Sequence, residues 1–577
     1  MENTFFMIMF TFGGLMGLLT LVYVIRQAFN RQAGEVGGWE LRGARQRITA
    51  VARTTLAEGI RAKVASGFAL MILVAIPLFW LTAEGDGTIK GRLQMFISYS
   101  MGFTGFILAL LTILFSCRSL SVEIVSRQIY GVVSKPIPRW QIVAGKWVGI
   151  MTLNVLLLAL AVLMTRVGTT IIVERYKGTL LHDLETYGAL TPSQAAAVVD
   201  RLEQVRGPGA KGMGSPLIAA FADALGKTRQ QIGDILIRLP EPSRVNLRRF
   251  DELRRQVLVA RTGIPAPVPD LTKDIDELYD RLKSEDRLPE GWSDKRIRDQ
   301  IRTALGAQYI TIAPGDGRQW EMKGPPPQEG SDHIMSIRFK FRTSSPPLAA
   351  RFEGRTLEAD TLLCLWGLGD PRKPNFLEQA DTFPVNTTNE LEIPQQGIEP
   401  DGTIRVSVVN IDPRRLDAIF DIEGEEVEVL YRVGSFELSL FQAALALLIP
   451  LACLAAFGVC ASTFLSFPVG ALIVLTLYII SSSMGFVADS LAVSEEYAPP
   501  DYDRDLAYQI RKTTVETFGW VLSIGDVDPV RHLIEGRAVG WRILWEKTWK
   551  FVLVKGMLVM LVAVWVFRRR ELAAVIV

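Results

Sequence analysis

Charged side chains, glycine and proline are concentrated in one short polar segment, Cys117–Lys146, which lies between two long apolar runs. Within it, Glu123 and Arg127 are four residues apart, so on a helix their side chains would form an i, i+4 ion pair. Gly131 would end such a helix, and two prolines would stiffen the turn that follows. These residue types suit contact with another protein. A plain solvated loop is the alternative explanation of the same composition.

Patterns typical of enzymes and metal sites are missing from the sequence. The three histidines are scattered and the four cysteines form no C-x-x-C pair, so neither a metal site nor a disulfide framework is indicated. The run from Gly207 to Gly212 superficially resembles a phosphate-binding loop, but no Lys-Ser or Lys-Thr pair follows it. A net charge of +2 gives no signal for nucleic acid. We therefore expect no catalytic residue, metal or cofactor in this chain.

Seven apolar windows have the length of about 20 residues that a helix needs to cross a bilayer. They are Phe5–Ile25, Ala65–Ala83, Met95–Cys117, Trp147–Val167, Leu438–Leu465, Val469–Ala488 and Trp549–Phe567. Ser466-Phe467-Pro468 separates two of them as a helical hairpin, because proline breaks a helix. The sequence predicts a polytopic α-helical membrane protein with six core spans and one extra N-terminal span. We expect that extra span to be an uncleaved anchor with its N-terminus outside.

Basic residues in the short loops predict the orientation of these spans. The linker between the first two windows, the polar segment and Arg568-Arg569-Arg570 are rich in lysine and arginine and fall on one side if every window spans. That side is expected to be the cytoplasm, with the C-terminus there. The N-terminus and residues 169–437 are then extracytoplasmic, on a multi-pass protein of the cell's inner (cytoplasmic) membrane.

Residues 169–437 form a large predicted α+β insertion. Its first part is helical in pattern, with amphipathic segments from Leu190 and around Leu217–Leu239, Val245–Ala260 and Leu271–Leu305. Its second part switches to a period of two, in which apolar and polar side chains alternate. The short strands expected there lie at 337–341, 361–368, 390–393, 403–409 and 425–431. Their spacing predicts an antiparallel, jelly-roll-like β-sandwich.

The spans contain few ionisable residues, which disfavours an ion-coupled carrier because such carriers usually hold the ion on membrane-embedded acids. Lys555 is expected about one turn inside the outer end of the last span, where its ammonium can reach the interface. Trp541, Trp545 and Trp549 recur every fourth residue and line one helix face. They are expected to form either an outer membrane-interface belt or a packing surface. Gly13-x-x-x-Gly17 and Gly145-x-x-x-Gly149 permit close helix approach, although such pairs are also common by chance.

Three motifs remain, and the first combines Glu123, Gly131, the run SKPIPR from Ser134 to Arg139, and Gly145-Lys146. It resembles the E…G…S-K/R-P-[VI]-x-R…G-K pattern of ABC-2 type transporter permeases. The stretch 54–63 is similar to the amphipathic elbow helix that precedes the first core span. Residues 566–572 are similar to the family ending F-R-R-R-[ED]-L. The resemblance covers roughly 44–167 and 438–577, and the extra span and the large insertion depart from it.

The resemblance implies that the polar segment contacts a separate ABC ATPase, which would hold ATP and magnesium itself. The residues implied in this contact are Glu123, Arg127, Gly131, Lys135, Pro136, Arg139 and Lys146. It further implies a second permease copy or a related permease, an exported substrate whose identity the sequence leaves open, and a lipid bilayer around the spans. No enzymatic activity in this chain and no nucleic acid are expected.

These predictions divide the chain into five regions. They are the extra span and basic linker (1–43), the elbow helix and first three core spans (44–168), a helical region (169–310), a β-sandwich (311–437) and the last three core spans with outer interfacial helices (438–577). The leading hypothesis is a permease subunit of an ATP-driven exporter. The alternative is an envelope binding or scaffold protein whose sandwich holds a glycan or a protein, with Trp320 or Trp366 stacking on sugar unless both are core residues. A carrier driven by an ion gradient ranks third.

Overall fold

The computed structural model describes residues 40–569 with internal gaps at 62, 84, 86–87, 129–136, 205–215, 242, 245–246, 248–255, 268–269, 289–293, 326–334, 344–360, 374–375, 394–397, 414–416, 421–426 and 497–528. The helices before the sheets are α1 (Glu40–Arg61), α2 (Val64–Thr82), α3 (Ile89–Val125), α4 (Arg139–Thr186), α5 (Pro192–Gln204), α6 (Pro216–Leu225) and α7 (Arg229–Arg238). Two more, α8 (Thr272–Ser284) and α9 (Asp294–Ile310), lie between strands. After the sheets come α10 (Phe436–Ser462), α11 (Phe467–Glu496), α12 (Pro529–Ile534), α13 (Trp541–Lys547), a π-helix (Thr548–Gly556) and α14 (Met557–Arg569).

Within the described ranges, five helical runs are long and apolar enough to cross a membrane. They are α2, α3, α4, α10 and the continuous run Trp541–Arg569. These runs confirm five of the seven predicted windows and a multi-pass helical protein. The apolar part of α11, Phe467–Ser483, is shorter than the other five. The window Phe5–Ile25 lies outside the described residues, so the total of seven spans stays a prediction.

The predicted hairpin between two spans is present. Helix α10 ends at Ser462 and α11 begins at Phe467. Pro468 therefore occupies the first turn of α11, where a missing backbone N–H costs no helical hydrogen bond. The proline thus separates the two helices at the position that the sequence indicates.

Close helix contacts define how the bundle packs. A Cβ atom on Gly168 of α4 would meet the ring of Phe96 on α3. A Cβ atom on Gly458 of α10 would meet the side chain of Ser116 on α3. Helix α3 therefore lies in direct contact with both α4 and α10, in a core of buried aliphatic and phenylalanine side chains.

Within the described residues, eleven strands form three antiparallel sheets. The strands are β1 (Val259–Pro265), β2 (Thr311–Ile312), β3 (Gly317–Lys323), β4 (Met335–Phe339), β5 (Arg342–Thr343), β6 (Thr361–Leu368), β7 (Leu377–Pro384), β8 (Asn389–Ile393), β9 (Thr403–Asn410), β10 (Ala418–Ile419) and β11 (Val427–Ser435). The strand orders are β1-β11-β4-β8, β3-β9-β6-β7 and β2-β10-β5. All three sheets contribute to one apolar core that includes Phe339, Phe341 and Trp366. We call the sheets and this core the sheet region.

Most of the predicted secondary structure of the insertion is present, with one correction. Strands β4, β6, β8, β9 and β11 overlap the five predicted strands. The prediction of a helical segment at Val245–Ala260 is wrong at its end, because β1 begins at Val259 and pairs with β11. Pairing with a strand far along the chain overrides the local helical pattern there. Strands β2, β3, β7 and β10 were not predicted.

Trp320 and Trp366 lie in the core of the sheet region. Their exposed fractions are 6% and 0%. The ring of Trp366 lies 4.3 Å from that of Phe339, measured between centroids, and Trp320 packs edge-on against Phe420. The expectation that either indole stacks on a sugar is therefore wrong, and the core explanation is right.

Candidate functional site

The first part of the polar segment continues the spanning helix α3. This helix runs without a break to Val125, Ser126 caps it, and Arg127 has a left-handed backbone with φ of 60°. The helix therefore ends before Gly131. The expectation of a Glu123–Arg127 ion pair is wrong, because the Glu123 carboxylate binds another cation.

That cation is Lys146, on α4. Its ammonium donates a hydrogen bond to Glu123 and lies 3.6 Å from the carboxylate of Glu58 on α1. Lys146 is only 3% exposed. A buried ammonium needs a compensating charge, and here two carboxylates supply it from two different helices. We call these three residues the ion cluster, and it joins α1, α3 and α4.

Helix α1 lies very close to α4 at the same level. A Cβ atom on Gly145 would come within 2.6 Å of Val51, and one on Gly149 would come within 2.7 Å of the Ala52 carbonyl oxygen. Two glycines four residues apart let the helix backbones approach at this crossing. The Nε atom of Arg47 donates a hydrogen bond of 2.8 Å to Gln141, which fixes the start of α4 as well.

Arg139, the first residue of α4, contacts the end of the last helix. Its guanidinium donates hydrogen bonds to the backbone carbonyls of Phe567 and Arg568, and it lies 5.6 Å from the Phe567 ring centroid. The last carbonyls of a helix have no partner within the helix, so Arg139 satisfies two of them on α14. Two of the motifs that resemble the family therefore meet at one end of the bundle.

Of the seven residues predicted for partner contact, the structure describes four. Glu123 and Lys146 meet in the ion cluster, Arg139 binds α14, and Arg127 is exposed at the end of α3. Gly131, Lys135 and Pro136 lie outside the described residues. Glu58 and Arg47 were missed. Both lie on the helix that contains the predicted elbow segment. Matching the charged side chains of that helix with the charged and amide side chains of α4 is the signal that could have found them.

The last spanning run differs from its prediction at Lys555. This residue lies near the middle of Trp541–Arg569, is only 6% exposed, and has its ammonium 4.9 Å from the ring centroid of Phe551. The expectation that it reaches the interface is therefore wrong. It belongs to the π-helix, whose wider turn rotates the following side chains relative to an α-helix.

The three tryptophans predicted to line one helix face, Trp541, Trp545 and Trp549, lie in two different environments. Trp541 packs with Val539 and Leu544, whereas Trp545 and Trp549 are about half exposed. The stripe therefore includes one packing residue and two residues available to a membrane interface.

An open cavity of about 380 Å³ lies between α3, α10, α11 and α12. Its lining is mostly apolar, with Met101, Phe106, Leu451 and Leu454 among the lining residues and the hydroxyl-bearing Tyr478 beside them. Ligand sites in proteins are typically concave and mostly apolar with a few polar groups. The part of the chain that the structure describes contains no group of three His, Cys, Asp or Glu side chains that could hold a metal ion.

The chain was compared with protein-family models, with curated proteins and with solved structures. The family model described as ABC-2 family transporter protein matches residues 4–189, which include α1 to α4, the ion cluster and the polar segment. No curated protein and no solved structure matches the chain. The similarity of residues 4–189 to this family model confirms the resemblance and supports a permease of the ABC-2 type.

Proposed function

We propose that this chain is the membrane-spanning permease subunit of an ATP-driven exporter, and that its polar segment binds a separate ABC ATPase. The ion cluster is the observation that carries the proposal. It ties the end of α3 and the start of α4, which form the two ends of the polar segment, to each other and to α1. A force applied to the segment would therefore reach two spanning helices together.

The proposal includes an orientation. The end of the bundle with the ion cluster and the basic residues would face the cytoplasm, and the sheet region and the N-terminus would lie outside the inner membrane. A phosphatase reporter fused near Phe250 should be active, because it would fold outside. Activity of a cytoplasmic reporter at the same position would contradict this orientation.

The finer architecture is part of the same proposal. It comprises seven spans, a jelly-roll connection of the strands, a tryptophan belt at the outer interface, the five regions with their predicted limits, and a second permease copy or a related permease. The antiparallel order within all three sheets supports the jelly roll. The half-exposed indoles of Trp545 and Trp549 support the belt.

We also propose that the cavity between α3, α10, α11 and α12 is the surface along which substrate passes. Most of its wall belongs to α3 and α10, two helices long and apolar enough to cross the membrane, and α3 runs from this wall to Glu123. A displacement of α3 at the ion cluster would therefore change the shape of the cavity. Its mostly apolar lining suits a substrate with an apolar portion.

Co-purification from the native host tests the proposal directly. Tagged wild-type protein should bring down an ATPase, identified by mass spectrometry and by ATP hydrolysis. Arg127→Glu should lose most of that ATPase, because Arg127 is exposed within the polar segment, just after the end of α3. Arg175→Glu is the matched control, since Arg175 is exposed on α4 toward the opposite end of that helix. Absence of any ATPase, or equal loss with both variants, would refute the proposal.

The alternative of an envelope binding or scaffold protein has less support. It depends on an exposed aromatic side chain in the sheet region that could stack on a sugar. Both candidates, Trp320 and Trp366, are buried. No contact in the described part of the sheet region favours a glycan over a core role for these residues.

A further inference from the structure

The turn 535–538, which precedes the last spanning run, is hydrogen-bonded to the edge strand of a sheet. Strand β1 pairs with β11 on one side. On its other side, the Arg261 amide donates to the Gly536 carbonyl at 2.9 Å, and the Ala538 amide donates to the Arg261 carbonyl at 2.7 Å. The turn therefore adds a short parallel bridge to the sheet, only a few residues before Trp541 begins the last run.

Three charges lie in a row across this sheet, on the face opposite its apolar core. Glu428 of β11 is directly opposite Arg338 of β4, and Arg338 is directly opposite Glu390 of β8. Their neighbours along the strands, such as Ile337, point into the core. A row of charges on the polar face of a sheet is normally solvated, yet Glu428 is only 1% exposed.

The turn covers this row and contributes charges of its own. Arg338 of the sheet donates to Glu535 of the turn at 2.6 Å, and Arg537 of the turn donates to Glu428 of the sheet at 3.0 Å. The pairing is reciprocal, since each side supplies one cation and one anion. Arg261 adds a hydrogen-bonded pair with Glu390. We call these residues the six-charge joint: Arg261, Arg338, Arg537, Glu390, Glu428 and Glu535.

The joint is also connected to the spanning helices. Strand β11 ends at Ser435 and α10 begins at Phe436, so the sheet leads directly into a span. Ser439 of α10 donates to the Arg537 carbonyl at 2.9 Å, and Gln94 of α3 donates to the Ile534 carbonyl at 3.0 Å. One span therefore contacts the turn that the joint holds, and a second contacts the last residue of α12, directly before that turn.

Helix α3 extends from this joint to the ion cluster. Its 37 residues span about 55 Å at a rise of 1.5 Å per residue. Gln94 lies near one end and Glu123 near the other. One continuous helix thus connects the sheet region with the predicted site of ATPase contact.

We propose that the six-charge joint holds the sheet region and the spanning bundle together as one mechanical unit, so that a displacement of α3 at the ion cluster moves the sheet region. Removing one partner of a buried ion pair leaves a charge without compensation. The joint therefore resists separation more strongly than an exposed contact would. This role belongs to the permease chain itself and holds whether or not an ATPase binds the polar segment.

Distances between spin labels on the purified full chain in lipid nanodiscs, without any ATPase, test the joint. One label is placed at Thr382 on β7 and the other at Tyr187 after α4, both exposed positions. Protein without the two introduced label sites, treated with the same reagent, is the control for labelling of the four native thiols. The joint predicts one narrow distance distribution, which broadens in Glu535→Gln and in Arg537→Gln. Asp223→Asn, which breaks the exposed Arg201–Asp223 pair of 2.9 Å, should leave the distribution narrow.

Two results would overturn the proposal. One is an unchanged narrow distribution in both joint variants. The other is broadening accompanied by loss of the near-ultraviolet signal of the buried tryptophans, because the charges would then stabilise the sheet region itself and not its attachment. Both substituted residues lie in the turn, outside the eleven strands, so the strands keep their own residues.

A second arm tests transmission along α3. Lys146→Gln should shift the label distance when the joint is intact, and it should produce no comparable shift in the Glu535→Gln background. The same shift in both backgrounds, or no shift in either, would show that the joint transmits nothing from the ion cluster.

Discussion

The ammonium of Lys146 is hydrogen-bonded to the carboxylate of Glu123, 23 positions earlier in the chain. The two residues lie in the two helical ends of the polar segment and belong to two spanning helices, α3 and α4. Glu123 lies in the last turn of α3, where the helix dipole disfavours an anion. The buried ammonium offsets this effect and makes the carboxylate a fixed part of the bundle.

Replacing Lys146 should destabilise the protein measurably. Lys146→Met removes the cation shared by Glu123 and Glu58, and hydrogen bonds to charged groups contribute about 2 kcal/mol. We expect a clear fall in the thermal unfolding midpoint, measured by near-ultraviolet circular dichroism in detergent. Lys177→Met is the control on the same helix, because its partner Glu174 is mostly exposed. There we expect a change below about 0.5 kcal/mol, and similar midpoints for both variants would contradict the role of the ion cluster.

Filling the contact between α1 and α4 should separate these helices. In Gly145→Ala the added methyl group would lie 2.6 Å from Val51 and 2.9 Å from the Ile48 carbonyl oxygen. Overpacking of this kind typically costs about 1–3 kcal/mol. We expect faster tryptic cleavage within α1.

Gly178→Ala provides the comparison for that experiment. It lies on the same helix, and its added methyl group would meet no atom of the described residues within 4 Å. Alanine is favoured over glycine in a helix by up to about 1 kcal/mol, so this variant should be neutral or slightly stabilised. Equal protection of α1 in both variants would argue against a close α1–α4 contact.

A bulky side chain in the cavity should impair function without impairing assembly. Gly102 lines the cavity and has open space at its Cβ position. Gly102→Phe should lower ATP hydrolysis by the co-purified complex several-fold while the amount of bound ATPase stays constant. Gly67→Phe, at another open position on α2, should leave hydrolysis unchanged. If the two variants behave alike, the cavity is not the path of the substrate.

The six-charge joint should weaken only in acid. Burial alone would raise the pKa of Glu535, but the hydrogen bond and charge of Arg338, assisted by Arg531, hold that pKa below its ordinary value of 4.5. A carboxyl whose pKa is lowered in the joined form stabilises that form above its ordinary pKa. This stabilisation is lost as the pH falls through the lowered pKa.

The label distance between Thr382 and Tyr187 reports this transition. The distribution should stay narrow at neutral pH and at about pH 5, and broaden only below about 4.5. In Glu535→Gln it should be broad at every pH. Broadening of the wild type already near neutrality would mean that another group controls the joint.

The sequence by itself determined the features that depend on local pattern. Apolar windows located five spanning runs, Pro468 located the break between α10 and α11, and alternation located β4 and β9. The polar segment was recognised in the same way, from residue types at short spacing. Such patterns are readable because a helix repeats every 3.6 residues and a strand every two residues.

Only the tertiary structure decided which charges meet. Local spacing paired Glu123 with Arg127, whereas the fold pairs it with Lys146 and places Glu58 beside them. Arg139 meets the carbonyl of Phe567, 428 positions away. Contacts at such separations depend on the packing of whole helices against one another, and helix periodicity carries no information about that register. The spans and the polar segment can therefore be predicted from the sequence. The burial of Lys146 cannot, because it depends on the packing of three helices against one another.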